Sequence, residues 1–354
     1  MRIIVDVMGG DDAPLEMVKG ACAAASEYSA SYILVGDRPK IERIAEENDL
    51  DLSRFEIVHT DSVITMEDDP LSVVRVKSDS SMGTGLRLLA EGRGDAFVST
   101  GNTGALFTGA TLIVRKIKGV QRAALATVLP MDPPVLLLDS GANVAVTEEY
   151  LEQFAVMGSA YMKCIYGIES PRVGLLNNGT ESSKGTELQR AAYVRLSKCS
   201  RINFVGNVEG TGLVQNKCDV LVTDGFTGNV LLKTVEGMGK LMMTAVKNVF
   251  YANKLTMVSG LMVKKQLGIM KKTYDATEHG GAPLLGISKP VIKAHGSSNA
   301  KAFKNAIRQA ISCCNTRITY DIAEAAEEFA AQKKREKEAG ATHISASQDN
   351  DNQQ

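Results

Sequence analysis

One repeated unit constrains this chain more than any other feature. Short apolar runs stop at loops of Gly, Asn, Ser and Thr, and helical spacing resumes behind each loop. The runs are STGNTG at 99–104, LLDSGAN at 137–143, LLNNGTE at 175–181, VTDGFTGN at 222–229 and AHGSSN at 294–299. The alternation begins at the N-terminus, with a β-branched run at 2–7, helical spacing behind Pro14, a run at 32–35, a helix pattern over 39–48 and a run at 55–58. Strand and helix in alternation predict an α/β fold with a mostly parallel sheet and helices on both faces. Ligands of such sheets bind where the carboxyl ends of the strands open, so the loops are expected to converge on one site. Gly and Asn are also ordinary turn residues, and a single loop of this kind carries little weight.

The remaining signals narrow the chemistry. A net charge of -1 and the absence of Trp argue against a nucleic-acid partner. Cys22, Cys164, Cys199, Cys218, Cys313 and Cys314 form no C-x-x-C pair or Cys/His metal spacing, and read as reduced thiols of a cytoplasmic enzyme. No apolar run reaches transmembrane length, so membrane contact is expected to be peripheral. Residues 1–324 read as a single α/β catalytic domain and 325–354 as a disordered polar tail.

No G-x-G-x-x-G follows the first strand, and no Walker loop, H-E-x-x-H or G-x-S-x-G occurs. The loops offer backbone N–H groups, Asn side chains, Ser and Thr hydroxyls, Lys184 and His295. That set suits phosphate or a phosphate ester held without metal. VTDGFTGN is the sharpest case, because a strand–turn–helix turns the N–H groups of a helix start towards an anion. The chain behind it, 237–274, carries seven lysines and no Asp or Glu.

Seven collinear stretches carry a resemblance: VDVMGGDDAP from Val5, STGNTGAL from Ser99, LLDSGANV from Leu137, VGLLNNGTESSKGTEL from Val173, NFVGNVEG from Asn203, DVLVTDGFTGNVLLKTVEG from Asp219, and GGAPLLGISKPVIKAHGSSNAKAFKNAIRQA from Gly280. In these the chain resembles the bacterial phosphate acyltransferases of phospholipid synthesis, from Met1 to about Ile322. The resemblance implies a three-layer α/β/α sandwich like that of isocitrate and isopropylmalate dehydrogenases and phosphotransacetylase, and a homodimer. It implies transfer of a long-chain acyl group from acyl-acyl-carrier-protein to inorganic phosphate, giving acyl phosphate for glycerol 3-phosphate acylation. No cofactor or metal is implied. The implied location is cytoplasmic, peripheral on the inner face of the membrane, with the membrane glycerol-3-phosphate acyltransferase as a candidate partner. The chain departs from the family pattern at Asp12, where His is usual, and at Asn178, where a less polar residue is usual. Asp12 argues against a catalytic histidine at that turn.

On this reading phosphate attacks the thioester directly. Lys184 is expected to neutralise phosphate or the leaving thiolate. Asn229 is expected to donate to the oxyanion, or else to serve as a plain helix cap, and His295 to orient phosphate or pass a proton. Asp6, Gly9, Gly10, Asn102, Thr103, Gly104, Asp139, Asn143, Asn178, Gly179, Thr227, Gly228, Gly296, Ser297 and Ser298 are expected to surround phosphate and thioester, with Asp6 and Asp139 orienting rather than reacting. In the lysine-rich segment, Leu255, Val258, Leu261 and Met262 form an apolar set, and Lys264, Lys265, Lys271 and Lys272 a cationic one. A dimer helix with solvated lysines, a tip on an anionic membrane and a dock for the acidic carrier protein all fit. The rival functions are a short-chain phosphotransacetylase using coenzyme A, a dehydrogenase needing NAD and a metal, and a non-catalytic membrane scaffold.

Overall fold

The computed structural model describes residues 1–274, 278 and 280–331, without the side chains of Lys271 and Lys272. In chain order the elements are β1 (Arg2–Asp6), α1 (Leu15–Glu27), β2 (Ser31–Gly36), α2 (Arg38–Glu47), β3 (Phe55–His59), α3 (Ser81–Ala90), β4 (Ala96–Ser99), α4 (Thr103–Gly109), β5 (Ala124–Leu129), β6 (Val135–Leu138), α5 (Glu148–Tyr166), β7 (Arg172–Leu176), α6 (Glu187–Lys198), β8 (Asn203–Val208), β9 (Val220–Val222), α7 (Gly225–Phe250), α8 (Lys254–Met262), α9 (Lys264–Thr273), β10 (Ala282–Leu285), β11 (Val291–Lys293) and α10 (Ala300–Asn315). Among the described residues, the strands form one 11-stranded sheet in the order β3-β2-β1-β4-β11-β10-β5-β6-β9-β7-β8.

Side chains alternate across this sheet and build the outer layers. Ile3, Val5 and Val98 join Met17, Phe303 and Ile307 on one face. Ile4, Phe97 and Val291 join Leu86, Leu89 and Leu106 on the other. In the second half, Leu136 and Val220 meet Phe154 and Leu196, while Leu137 and Leu221 meet Leu231 and Leu232 of α7. Each fully buried Leu, Ile or Phe contributes roughly 1.5–3 kcal/mol.

The sheet is mostly parallel, but its two parallel sets oppose one another. β3, β2, β1, β4 and β11 run together, as do β6, β9, β7 and β8. Between the sets, the pairs β11–β10, β10–β5 and β5–β6 are all antiparallel. Three reversals turn the second set against the first. The loops behind β1, β4 and β11 therefore open on one edge of the sheet, and those behind β6, β7 and β9 on the opposite edge. This corrects the expectation that all five loops share one sheet end. The cause is two strands that the sequence pattern conceals: ALATVL of β5 lacks alternation, and β10 contains Pro283, a residue that argues against a central strand.

Beyond Glu236 the chain leaves this body as an arm. Within α7 only Gly225 and Gly228 are buried, and α8 buries nothing. Asn253 and Thr256 form a reciprocal cap that starts α8 (3.0 and 3.1 Å). Gly260 allows α8 to fold back on Phe250, whose Cδ1 would lie 3.1 Å from an added Cβ. The predicted apolar stripe is broken at Val263 between α8 and α9, and Leu255, Val258, Leu261 and Met262 are all exposed. Among the described residues, no helix is long and apolar enough to cross a membrane.

Residues 318–331 are helical, so the domain boundary drawn at 325 falls inside a helix. The reason is an apolar stripe: Ile318, Ile322, Ala325 and Ala326 repeat at helical spacing and are buried. The rest of the expected tail, 332–354, lies outside the described residues.

Candidate active site

The first edge is assembled from the β1, β4 and β11 loops. Asp6 is buried and accepts from Ser99 Oγ (2.7 Å) and Met8 N (3.1 Å). Burial pushes its carboxyl above the usual carboxylate range, against the opposing pull of these hydrogen bonds. Gly9 lies against Gly101, where an added Cβ would come within 2.6 Å of the Gly101 nitrogen. Gly10 adopts φ +96°, and Thr100 Oγ1 donates to Gly9 O. Asn102 caps α4 by accepting from Ala105 N (3.1 Å), and its amide donates to Thr65 O and Met66 O. Its polar atoms are thus engaged by the protein, with Thr103 and Gly104 in the first turn behind it. Asp11 N donates to Gly296 O at 2.9 Å, joining the β1 loop to the β11 loop, where Ser298 is buried and its N–H donates to His295 O.

The second edge is assembled from the β6, β9 and β7 loops. Asp139 accepts from Leu125 N, Gly141 N, Ala142 N and Asn143 N, and from Asn143 Nδ2 at 2.7 Å. Its carboxyl is raised by burial, and the Asn143 amide also donates to Ala123 O. These two residues hold the loop together, with both Asp139 carboxylate oxygens and the Asn143 Nδ2 group engaged by the protein. The start of α7 carries a second correction. Asp224 occupies the N-cap, where its carboxylate accepts from Thr227 N (2.9 Å) and Thr227 Oγ1 (2.7 Å). Gly225 N donates to Asn143 O, and Gly228 N to Asp224 O. The protein's own carboxylate and carbonyls therefore take the Gly225, Thr227 and Gly228 donors that the sequence offered to an incoming anion. Gly228 is needed for contact, since an added Cβ would lie 1.9 Å from Asp139 O.

Asn229 is exposed and is not the cap; its amide flanks Gly141, with Nδ2 3.7 Å from the position of an added Cβ. On the same edge Lys184 is exposed, its stem beside Gly179. Its ammonium makes no hydrogen bond or ion pair among the described residues. Asn178 is exposed, and its N–H donates to Asn177 Oδ1 at 2.8 Å.

Helix α7 joins the two edges. One turn beyond Asn229, Lys233 Nζ lies 3.4 Å from His295 Nε2 and 2.9 Å from Glu236 Oε2. Residues four apart lie on one helix face with Cβ atoms about 6 Å apart, so the Gly141 and His295 loops meet the same short row. His295 Nδ1 accepts from Ser297 N–H (3.2 Å) and lies 2.9 Å from Ser297 Oγ, which fixes the ring. Its pKa is lowered, first by burial and then by Lys233. Sequence reasoning missed Lys233, although it follows Asn229 at helical spacing, and also Lys293, a lysine within an apolar strand run. A cavity of about 510 Å³ opens between α6 and β8, lined by Tyr193, Cys199 and Phe204 among others, and none of the expected site residues lines it.

The family model described as fatty acid synthesis protein matches residues 1–320. The chain belongs to that family. Curated relatives match over nearly the whole length of the chain. The phosphate acyltransferase of Acetivibrio thermocellus is 47% identical over 319 residues, 90% of this chain and 94% of that protein. That of Thermoanaerobacterium thermosaccharolyticum is 44% identical over 311 residues, 88% and 92% of the two chains. As a member of this fatty acid synthesis protein family, the chain is an acyltransferase. Solved structures share its three-layer α/β/α fold. A phosphotransacetylase from Streptococcus pyogenes superposes with a TM-score of 0.57 at 17% identity, over 92% of this chain and 94% of that one. The 4-hydroxythreonine-4-phosphate dehydrogenase of Klebsiella pneumoniae gives 0.52 at 11% identity, over 89% and 99%. At such identities the likeness is one of fold.

Proposed function

We propose that the chain transfers a long-chain fatty acyl group from acyl-acyl-carrier-protein to inorganic phosphate, releasing acyl phosphate for glycerol 3-phosphate acylation. The observation that carries this reading is the Asn229–Lys233 row on α7, which links an amide beside Gly141 to the imidazole of His295. A phosphate oxygen attacks the thioester carbonyl carbon. The new C–O bond forms, the C–S bond breaks, and the thiolate leaves and takes up a proton. Phosphate is already an anion, so the protein's work is to position it and to stabilise the developing oxyanion. Lys184 neutralises phosphate or thiolate, Asn229 donates to the oxyanion, and His295, favoured neutral by its lowered pKa, orients phosphate or passes a proton. A thiol of pKa about 8.5 is a good enough leaving group to depart with one nearby cation. Comparing carrier-protein and coenzyme A thioesters at equal concentration tests the donor: the carrier thioester should react faster, and a preference for acetyl-coenzyme A would favour a phosphotransacetylase.

The arm belongs to the same proposal, as the contact of a homodimer and as a peripheral tip on anionic membrane, where the lipid-like product meets its membrane acyltransferase. Support comes from Leu255 and Met262, 77% and 80% exposed, beside the exposed Lys264 and Lys265. These lysines also offer a cationic patch to the acidic carrier protein; the side chains of Lys271 and Lys272 lie outside the described residues. A Val258→Glu, Leu261→Glu variant should no longer float with anionic vesicles, and unchanged flotation would reject the membrane tip.

A further inference from the structure

Lys293 places a cation where a cation is costly. It ends β11, is only 9% exposed, and donates through Nζ to two backbone carbonyls, Thr100 O at 3.1 Å and Ala294 O. Asp6 and Asp11 favour its charge from the β1 side, and Lys233 opposes it from α7. Burial outweighs the carboxylates and brings the ammonium down to about 8.

Both carbonyls belong to the strand-end loops of the first edge. Thr100 opens the loop behind β4, and Ala294 opens the loop behind β11. In a trans peptide the N–H points away from the C=O. Drawing Ala294 O inwards to Lys293 therefore turns the following N–H, that of His295, outwards. Among the described residues this N–H donates to no group, whereas the Ser297 and Ser298 N–H groups behind it donate to His295 Nδ1 and His295 O. This strand-end N–H, beside the His295 imidazole, is taken by no protein group among the described residues and is open to an incoming acceptor.

We propose that Lys293 is a positioning residue, which holds the Thr100 and Ala294 carbonyls inwards and so presents the His295 N–H to the phosphate substrate. The inference rests on the acyl-transfer reading. Lys293 itself does not touch substrate; its ammonium acts through the peptide it orients.

The test compares full-length wild type with Lys293→Met and Lys293→Arg, varying phosphate from pH 6 to 10. Below about pH 8 the ammonium is charged, and above it neutral, so wild-type kcat/KM for phosphate should fall as pH rises through about 8. Lys293→Met should lose on the order of 10²-fold at neutral pH and lack this alkaline limb. Lys293→Arg should keep more activity than the Met variant and carry the limb beyond pH 10, because a guanidinium stays charged. Calorimetric titration with inorganic phosphate alone reads the contact without turnover, with binding at least about tenfold weaker in Lys293→Met. Wild-type phosphate binding in a folded Met variant would overturn the proposal. If that variant does not fold, an Arg variant whose limb remains near pH 8 would overturn it equally. Phosphate binding that depends on Lys293 without any acyl transfer would support the positioning role and instead defeat the acyl-transfer reading.

Discussion

Gly228→Ala is expected to destabilise the protein by about 3 kcal/mol and to abolish activity with it. The added methyl would lie 1.9 Å from Asp139 O, a backbone atom in a loop already fixed by the donors around the Asp139 carboxylate. Neither side can yield cheaply. α7 must lift from the β6 loop, which draws Asn229 from Gly141 and Lys233 from His295 together. Thermal melting should show a fall in Tm of at least about 5 °C. Gly237→Ala, farther along the same helix with nothing within 4 Å of the new methyl, is the control and should leave Tm unchanged or higher. Equal melting of the two variants would mean that α7 does not seat on Asp139 as described.

Lys184→Met should cut turnover by on the order of 10²–10³-fold, the usual loss when a stabilising group is removed from developing negative charge. The fold should barely respond. Lys184 is exposed, its ammonium has no hydrogen bond or ion pair among the described residues, and methionine keeps an aliphatic stem over Gly179. A stability change within about 0.5 kcal/mol is the expectation for such a surface position. Turnover near the wild-type rate would remove Lys184 from the mechanism.

The parallel α/β character was legible because β1, β2, β7 and β9 are punctuated by loops that no helix interior would tolerate. The reversal of the sheet was not, because β5 and β10 lack that punctuation and Pro283 disguises the second. Missing those two strands made the strand-end loops look like one crevice, when α7 is what brings their residues together. The start of α7 misled for a related reason: the strand–turn–helix was legible, but the cap was Asp224, whose carboxylate already occupies the anion position. Asp139 and Asn143 likewise carry loop geometry that only three-dimensional contact reveals. Lys233 and Lys293 stood in plain sight, yet nothing local marks a lysine as facing a histidine 62 residues away or a carbonyl 193 residues away.

Acyl transfer from a carrier thioester to phosphate can be followed directly in one measurement. Full-length protein is incubated with palmitoyl-carrier protein, with and without inorganic phosphate, while free carrier thiol and hydroxylamine-trapped acyl phosphate are followed. Thiol release should require phosphate, be matched mole for mole by trapped acyl phosphate, and be unchanged by chelator or by NAD. Thiol release at the same rate without phosphate, or no release from folded protein, would contradict it.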